Sequence, residues 1–241
     1  FTQGATYEEV LNTIGRRLES DFFIDARTKR YDWQVQRAQR PHLRLRSRDG
    51  YDMTIVITAG NTIDRRIAEY VKECIDCNDD CRKLLLLCKT WANRCGLSSS
   101  DCMPGEAISI LVIYLLQTQF EEPLLPNMFH PNVPDREDNC GSGRNYKTGF
   151  AVPAGFQAPS TNIAQLLYRF FRHYAYDFNW VEEAVAVKAA KHGHVLLRDI
   201  PTQRLHVRDP FEVYENLTAN MGRAQMDAFK DALAGAEFVL S

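Results

Sequence analysis

The chain has 241 residues, of which 45% are hydrophobic and 25% charged, and its formal net charge is −2. This length allows one large or two modest domains with a real core, and the near balance of charge gives no global signal for nucleic-acid binding. No apolar run reaches the roughly 18–20 residues that a membrane span requires, so we expect no membrane partner. The chain begins at Phe1 without a signal-peptide pattern, and we therefore expect a processed or excised piece.

The seven cysteines are an odd number, and most of them lie inside helical patterns. This usage predicts reduced thiols in an intracellular, reducing compartment, with the mitochondrion and the cytoplasm both open. Cys74, Cys77 and Cys81 share one face of a predicted helix, but no fourth ligand lies nearby at a matching spacing, and structural zinc sites usually have four. We predict buried or half-buried thiols there rather than a zinc site.

The first sixty residues combine one helix with strands. Apolar positions at helical spacing, after Thr6 as a cap, predict a helix over Tyr7–Phe22. A short strand over residues 32–35 and an alternating pattern over 42–48 follow, and Asp49-Gly50 predicts a hairpin turn into a strand over 51–58.

From Thr62 onward the pattern is mostly helical, which makes the fold class α+β. The predicted helices cover residues 63–74, 82–95, 104–119, 162–175 and 221–234, with Gly96 as a C-terminal stop. Short strands are predicted at 185–187 and 195–197. Residues 121–159 contain six of the ten prolines and predict a long surface loop. The aromatic residues of the 162–175 helix are expected to pack in the core.

Six short motifs occur in a fixed order along the chain. They are Asp52 in the hairpin, Asn61-Thr62, Cys88-Lys89-Thr90-Trp91-Ala92, Leu116-Gln117, Phe170-Phe171-Arg172-His173-Tyr174, and Asp209-Pro210-Phe211-Glu212 with Asn216 four residues on. No one of them is specific, but the ordered set resembles terminal uridylyltransferases and the related poly(A) polymerases, which are nucleotidyltransferases of the DNA polymerase beta-like superfamily. The resemblance runs from about residue 7 to the end.

The resemblance implies both an architecture and an activity. Residues 1–58 would form an incomplete nucleotidyltransferase palm, and residues 59–241 a mostly helical poly(A) polymerase-like domain with the proline-rich loop at 121–159. The activity would be template-independent nucleotidyl transfer to RNA 3′ ends, with UTP or ATP as substrate and Mg²⁺ or Mn²⁺ as cofactor.

Each implied site residue also has a plain structural explanation. Asp52 would be a catalytic metal ligand, or else an exposed hairpin carboxylate. Asn61 and Thr62 would contact the nucleotide ribose, or cap the following helix. Lys89 would touch the triphosphate, or extend from an apolar helix face to solvent. Asp209 and Glu212 would recognise the base, whereas Asp209 before Pro210 also suits a helix start.

Three departures from the family pattern weaken the case for catalysis. Two-metal chemistry needs further carboxylates beside Asp52, and no Gly-Ser turn followed by Asp-x-Asp or Asp-x-Glu exists in the chain. The adjacent aspartates Asp79-Asp80 could replace this motif elsewhere in the chain, but they lie at a predicted helix start and suit capping. Asn93 replaces a second phosphate-binding lysine, and Glu106 aligns with a base-stacking tyrosine. This chain alone is expected to be inert, and the alternative function is a non-catalytic subunit that scaffolds an RNA–protein assembly.

One basic stretch points to RNA without help from the resemblance. Between Arg27 and Arg48 there are eight lysines and arginines against one acid, Asp32. Arg44, Arg46 and Arg48 alternate along a predicted strand and so share one of its sides. Such a row predicts binding of RNA phosphates or of a ribonucleoprotein partner, and the alternative is an ordinary solvated sheet face.

Overall fold

The computed structural model describes residues 6–22, 31–36, 42–47, 54–58, 62–98, 102–129, 137–139, 145–147, 149–189, 195–196, 205–212 and 215–241. The chain divides into two compact units. The first contains Phe1–Asp64 with Asn139–Asn145, and the second contains Arg65–Asp138 with Tyr146–Ser241. The domain boundary expected at residue 58 stays a prediction.

The first unit contains one helix and an antiparallel sheet. Helix α1 spans Tyr7–Phe22, and strands β1 (Tyr31–Gln36), β2 (His42–Ser47) and β3 (Thr54–Thr58) pair in that order. Leu43 lies opposite Val35 on one side and Ile57 on the other, and it is fully buried. The predicted helix and strands are confirmed, whereas the Asp49-Gly50 turn lies outside the described residues.

Helix α1 has a defined start and a close contact with the sheet. The Glu9 backbone N–H donates to Thr6 Oγ1 at 3.3 Å, and the Thr6 N–H donates to Glu9 Oε2 at 2.8 Å, which is a capping box. Further along, a Cβ at Gly15 would lie 2.5 Å from Cε3 of Trp33. Trp33 also donates from Nε1 to Glu19 Oε2 at 3.2 Å, so the indole is fixed against a helix face that only glycine can offer.

The second unit is mainly helical, and the buried side-chain amide of Asn78 lies between its first two helices. Helix α2 spans Thr62–Cys77 and α3 spans Asp79–Arg94. Between them, Asn78 Oδ1 accepts from the Asp80 N–H at 2.8 Å, while Nδ2 donates to the Leu124 carbonyl at 2.9 Å. Asn78 is therefore both the N-cap of α3 and an anchor for a distant segment.

Helix α3 ends where the sequence predicts. Gly96 has a φ of +67°, a conformation that favours glycine. Its N–H donates to the Asn93 carbonyl at 3.0 Å, and the Leu97 N–H donates to the Ala92 carbonyl at 2.9 Å. This pair of bonds is a Schellman motif, which Leu97 completes by being buried.

Helix α4 (Gly105–Thr118) is the centre of the second unit. Every residue from Ala107 to Gln117 is buried, as expected for a helix that is apolar on all sides. Its first turn follows Pro104, which acts as the N-cap without a side-chain hydrogen bond.

The prediction of a surface loop over 121–159 is wrong in part. The backbone N–H groups of Leu124 and Leu125 donate to the Leu116 carbonyl at 2.9 and 3.2 Å, and both leucines are buried, as is Met128. Strands β4 (Glu137–Asn139) and β5 (Asn145–Lys147) pair with each other. The prediction failed because prolines indicate only how the local backbone is restricted. Whether the side chains of this segment are buried depends on its packing against helix α4.

The C-terminal part supplies the remaining core. Helix α5 (Ile163–Arg172) continues into a π-helical turn (His173–Asp177), strands β6 (Glu183–Ala184) and β7 (Val195–Leu196) pair, and α6 spans Arg223–Leu240. Phe170, Phe171 and Tyr174 are buried, which confirms the predicted core packing for these three, whereas Tyr168 is half-buried. Helix α6 runs six residues beyond the predicted 234. No helix in the described part of the chain is both long and apolar enough to cross a bilayer.

Candidate nucleotide-binding site

Several of the predicted site residues cannot be placed. Asp52, Asn61 and Arg48 lie outside the described residues, and Thr62 is the first residue of α2. Arg44 and Arg46 lie on the central strand β2, where Arg44 pairs with Gln34 and Val56. The predicted roles of these residues therefore stay predictions.

Lys89 lies on the solvent-exposed side of α3. The expectation from the sequence that it extends from an apolar helix face is wrong. Lys89 and Asn93, one helical turn apart, are both exposed, whereas Cys88 and Ala92 are buried. No ion pair joins Lys89 to another residue within the described ranges. The exposed lysine can therefore meet an anionic ligand without first losing an internal partner.

The Asp209 carboxylate closes a turn. Oδ1 accepts from the N–H of Phe211 at 2.8 Å and from the N–H of Glu212 at 3.0 Å, and Asp209 is almost fully buried. Residues 210–212 form a bend, and residues 213–214 lie outside the described residues, so the expectation that Asp209 begins a helix stays a prediction. The carboxylate does satisfy backbone donors as a cap would, and contact of Asp209 with a nucleotide stays a prediction.

Phe211 of the same motif belongs to a cluster of four rings that the sequence did not indicate. Its ring centroid lies 5.8 Å from that of Phe129, 5.8 Å from Phe150 and 6.4 Å from Tyr70. Tyr70 in turn lies 5.0 Å from Phe129 and 5.4 Å from Phe150. Edge-to-face and tilted pairs of this kind stabilise packing beyond the area they bury, so Phe211 attaches the motif to helix α2.

Tyr70 is the most buried member of this ring cluster. Burial raises the pKa of its phenol well above the usual value, and the neighbouring Cys74 thiol adds to the increase. The hydroxyl group is therefore neutral at physiological pH and accepts a hydrogen bond from Gln117 Nε2 at 3.3 Å. No local sequence signal could reveal this contact, because the two residues are 47 positions apart.

Backbone hydrogen bonds join Glu212, Glu215 and Asp209. The Glu215 N–H donates to the Glu212 carbonyl at 2.7 Å, and the Asp209 N–H donates to the Glu215 carbonyl at 3.1 Å. Both glutamates are half-buried. A carboxylate there can accept a hydrogen bond from an N–H donor on a nucleobase edge.

The three cysteines on the predicted helix face, Cys74, Cys77 and Cys81, are buried or half-buried as predicted. Cys74 and Cys81 are buried and Cys77 is half-buried. Burial is the main cause that raises the pKa of each of these thiols, to about 12 for Cys81. Within the described ranges no group of three or more His, Cys, Asp or Glu side chains could hold a metal ion.

Comparison with curated proteins finds poly(A) RNA polymerases. The mitochondrial poly(A) RNA polymerase of Mus musculus is 23% identical over 215 residues, which cover 86% of this chain and 35% of the relative. Poly(A) RNA polymerase GLD2-B of Xenopus laevis is 25% identical over 219 residues, which cover 86% of this chain and 40% of the relative. The chain thus spans only 35% to 40% of the length of these relatives. No protein-family model matches it.

Comparison with solved structures finds the Cid1 poly(U) polymerase. The Cid1 structure with Mg and 3′-dATP bound matches this chain over its whole length with a TM-score of 0.80, at 19% identity and over 74% of the Cid1 chain. A second Cid1 structure, described for its RNA terminal uridylyl transferase activity, matches 99% of this chain with a TM-score of 0.77, at 18% identity and over 74% of the Cid1 chain. At these identities the likeness establishes the fold.

The two comparisons confirm both the α+β fold and the resemblance to terminal nucleotidyltransferases. The chain is related in sequence to poly(A) RNA polymerases and has the fold of the Cid1 poly(U) polymerase.

Proposed function

We propose that the chain is the nucleotide- and RNA-contacting part of a template-independent RNA 3′-terminal nucleotidyltransferase. Such an enzyme transfers a nucleotide from ATP or UTP to the 3′-hydroxyl of RNA. The observation that carries this proposal is the match to poly(A) RNA polymerases over 86% of the chain. The scaffolding alternative gains no support from the comparisons, because the relatives reported above are all named as polymerases.

In this proposal Lys89 binds the triphosphate. The lysine is exposed on α3 and has no ion-pair partner among the described residues, so binding a phosphate does not cost an existing ion pair. A charge-assisted hydrogen bond to a phosphate oxygen is stronger than a neutral one. Asn93, one turn further on, can add a neutral hydrogen bond but no second charge.

The turn at Asp209 is the proposed contact with the base. Asp209 fixes the backbone through two N–H groups, and Glu212 at the end of the turn accepts a hydrogen bond from the base. Uracil N3–H and the adenine amino group are both donors, so a single carboxylate acceptor is compatible with either nucleotide. UTP and ATP both stay candidates for this reason.

Asp52 is the proposed metal ligand of this chain. Nucleotidyl transfer with two cations uses one to activate the attacking hydroxyl group and the other to hold the triphosphate. One carboxylate does not hold two cations, and no metal-binding cluster exists among the described residues. We therefore assign no metal-dependent step to the described residues, and in this proposal none of them is assigned as a further ligand for two cations.

Arg44, Arg46 and Arg48 are the proposed contact with RNA phosphates. Arg44 and Arg46 are two positions apart on β2, and the alternation of a strand predicts that they share one of its sides.

For the compartment, the free cysteines of the described chain agree with a reducing environment. The mouse relative is named as mitochondrial, and we keep the mitochondrion and the cytoplasm as the two candidates.

A tailing assay tests the proposal. Labelled RNA is incubated with Mg²⁺ or Mn²⁺ and either ATP or UTP, using the full-length protein and the 241-residue chain in parallel. We expect extension by the full-length protein, loss of extension in its Asp52→Ala variant, and none with the 241-residue chain alone. Absence of extension by the full-length protein would favour the scaffold. Extension by the 241-residue chain that Asp52→Ala abolishes would show that this chain holds its own metal ligands.

A further inference from the structure

Asn216 joins two segments of backbone through one side chain. Its Oδ1 accepts from the N–H groups of Val207 and Thr218, each at 3.0 Å, and its Nδ2 donates to the Leu205 carbonyl at 3.1 Å. The side chain thus pairs with backbone groups on both sides of the loop that contains Asp209 and Glu212. Replacing this amide by an apolar group would leave the Val207 and Thr218 N–H groups without this acceptor, whereas the Leu205 carbonyl keeps the Thr218 hydroxyl group at 2.7 Å.

The backbone around Asn216 is paired in the same place. Arg208 and Asn216 form an antiparallel bridge, and the Leu217 N–H donates to the Val207 carbonyl at 2.8 Å. The loop from Asp209 to Glu215 is therefore closed at its base by backbone and side-chain bonds together. Directly after Arg208, the Asp209 carboxylate fixes the N–H groups of Phe211 and Glu212.

We infer that Asn216 is a positioning residue for nucleotide binding, because it holds the loop that carries Glu212. Ordering a loop when a ligand binds reduces affinity, and a loop that is ordered in advance avoids this loss. Asn216 itself need not touch the nucleotide, since its polar atoms are engaged with backbone groups. This inference rests on the proposed function, in which Glu212 accepts a hydrogen bond from the base.

The chain offers a matched control at Asn78. Asn78 accepts from one backbone N–H at 2.8 Å, where Asn216 accepts from two, and like Asn216 it donates to a backbone carbonyl, in this case at 2.9 Å. It anchors the segment at Leu124 instead of the Asp209 loop. Asn78→Ala and Asn216→Ala therefore remove the same chemical group and similar hydrogen bonds, but only the second frees the loop.

The first measurement is nucleotide affinity. The full-length wild type, Asn216→Ala and Asn78→Ala are titrated with MgATP and with MgUTP by calorimetry, at a temperature where all three are folded. We expect Asn216→Ala to weaken binding of the preferred nucleotide by about tenfold, and Asn78→Ala to leave it within about twofold. Equal affinities in the wild type and Asn216→Ala, or equal reductions in both variants, would overturn the inference.

The second measurement separates this inference from the proposed function. Amide hydrogen exchange of the protein without nucleotide reports directly on the N–H groups of Phe211 and Glu212. We expect these two amides to exchange at least about tenfold faster in Asn216→Ala and unchanged in Asn78→Ala. Unchanged exchange in Asn216→Ala would overturn the positioning role. If the wild type binds neither nucleotide, the proposed function fails, while the exchange result still decides whether Asn216 holds the turn.

Discussion

The amide of Gln117 at the end of α4 donates to the phenol oxygen of Tyr70 on α2 at 3.3 Å, and both side chains are buried. The same Nε2 donates to the Pro126 carbonyl at 2.8 Å. One side chain therefore joins α2, α4 and the segment after α4. Because Tyr70 also packs against Phe211, this contact links the core of the second unit to the turn proposed to bind the base.

A double-mutant cycle tests this relationship. Tyr70→Phe should lower the free energy of unfolding by about 1 kcal/mol, because it leaves one buried amide donor unpaired. Gln117→Leu should cost about 1–3 kcal/mol, since the Pro126 carbonyl loses its donor as well. Urea denaturation of the single and double variants should show effects that are less than additive. Strict additivity would mean that the two groups do not interact.

Substitution by alanine should change the stability of the protein in opposite directions at Gly15 and at Gly235. Gly15→Ala should destabilise the protein by roughly 1–3 kcal/mol, because the new methyl group would overlap the Trp33 ring. Gly235→Ala should stabilise it by about 0.5–1 kcal/mol, because a Cβ there meets nothing within 4 Å and alanine favours the helix. Thermal unfolding of both variants decides the matter, and a stabilised Gly15→Ala would contradict the close packing of Trp33.

Lys89→Ala should impair nucleotide use without affecting the fold. The side chain is exposed, so the melting temperature should be unchanged, while the KM for the nucleotide rises and kcat stays nearly constant. Lys83→Ala on the same helix is the control, because Lys83 pairs with Asp79 and Asp80 at 2.9 Å. Steady-state kinetics of the full-length protein would provide both constants. A lower melting temperature with unchanged kinetics would give Lys89 a structural role.

Arg44, Arg46 and Arg48 should determine how strongly the protein binds RNA and how this binding depends on salt concentration. Changing Arg44, Arg46 and Arg48 together to glutamine should weaken binding and reduce the slope of log K against log salt concentration by roughly one unit for each phosphate that the variant no longer binds. Leu43→Ser should instead damage the fold, because Leu43 is fully buried. Fluorescence anisotropy across a salt titration measures the slope. Identical slopes in the triple variant and the wild type would make this strand an ordinary solvated sheet face.

His206 should make stability depend on pH. It is buried, and within the described residues neither ring nitrogen has a hydrogen-bond partner. Burial, and next the charge of Arg208, lowers its pKa below the usual value. The unfolded chain therefore binds more protons than the folded protein below about pH 6.5, and stability falls as the pH drops through this range. His206→Phe should flatten the decline in urea midpoint between pH 7 and 5, and an unchanged decline would exclude this cause.

Local structure and the order of motifs followed from the sequence alone. Helical periodicity identified most of the helices, and Gly96 marked the end of α3 because a positive φ favours glycine. Alternation identified β2, since successive residues of a strand point to opposite sides. These features depend on neighbours within a few positions, and the motif order was enough to indicate the resemblance to terminal nucleotidyltransferases that the comparisons then confirmed.

Only the tertiary structure shows which side chains contact each other. Lys89 lies on the solvent side of α3, the Asp209 carboxylate has two backbone donors in a turn, and Leu124 is buried in a segment whose prolines predicted a surface loop. Tyr70 packs against Phe211, although 141 positions separate them in the sequence. Contacts of this kind depend on how whole helices pack, and neither composition nor periodicity within one segment contains that information.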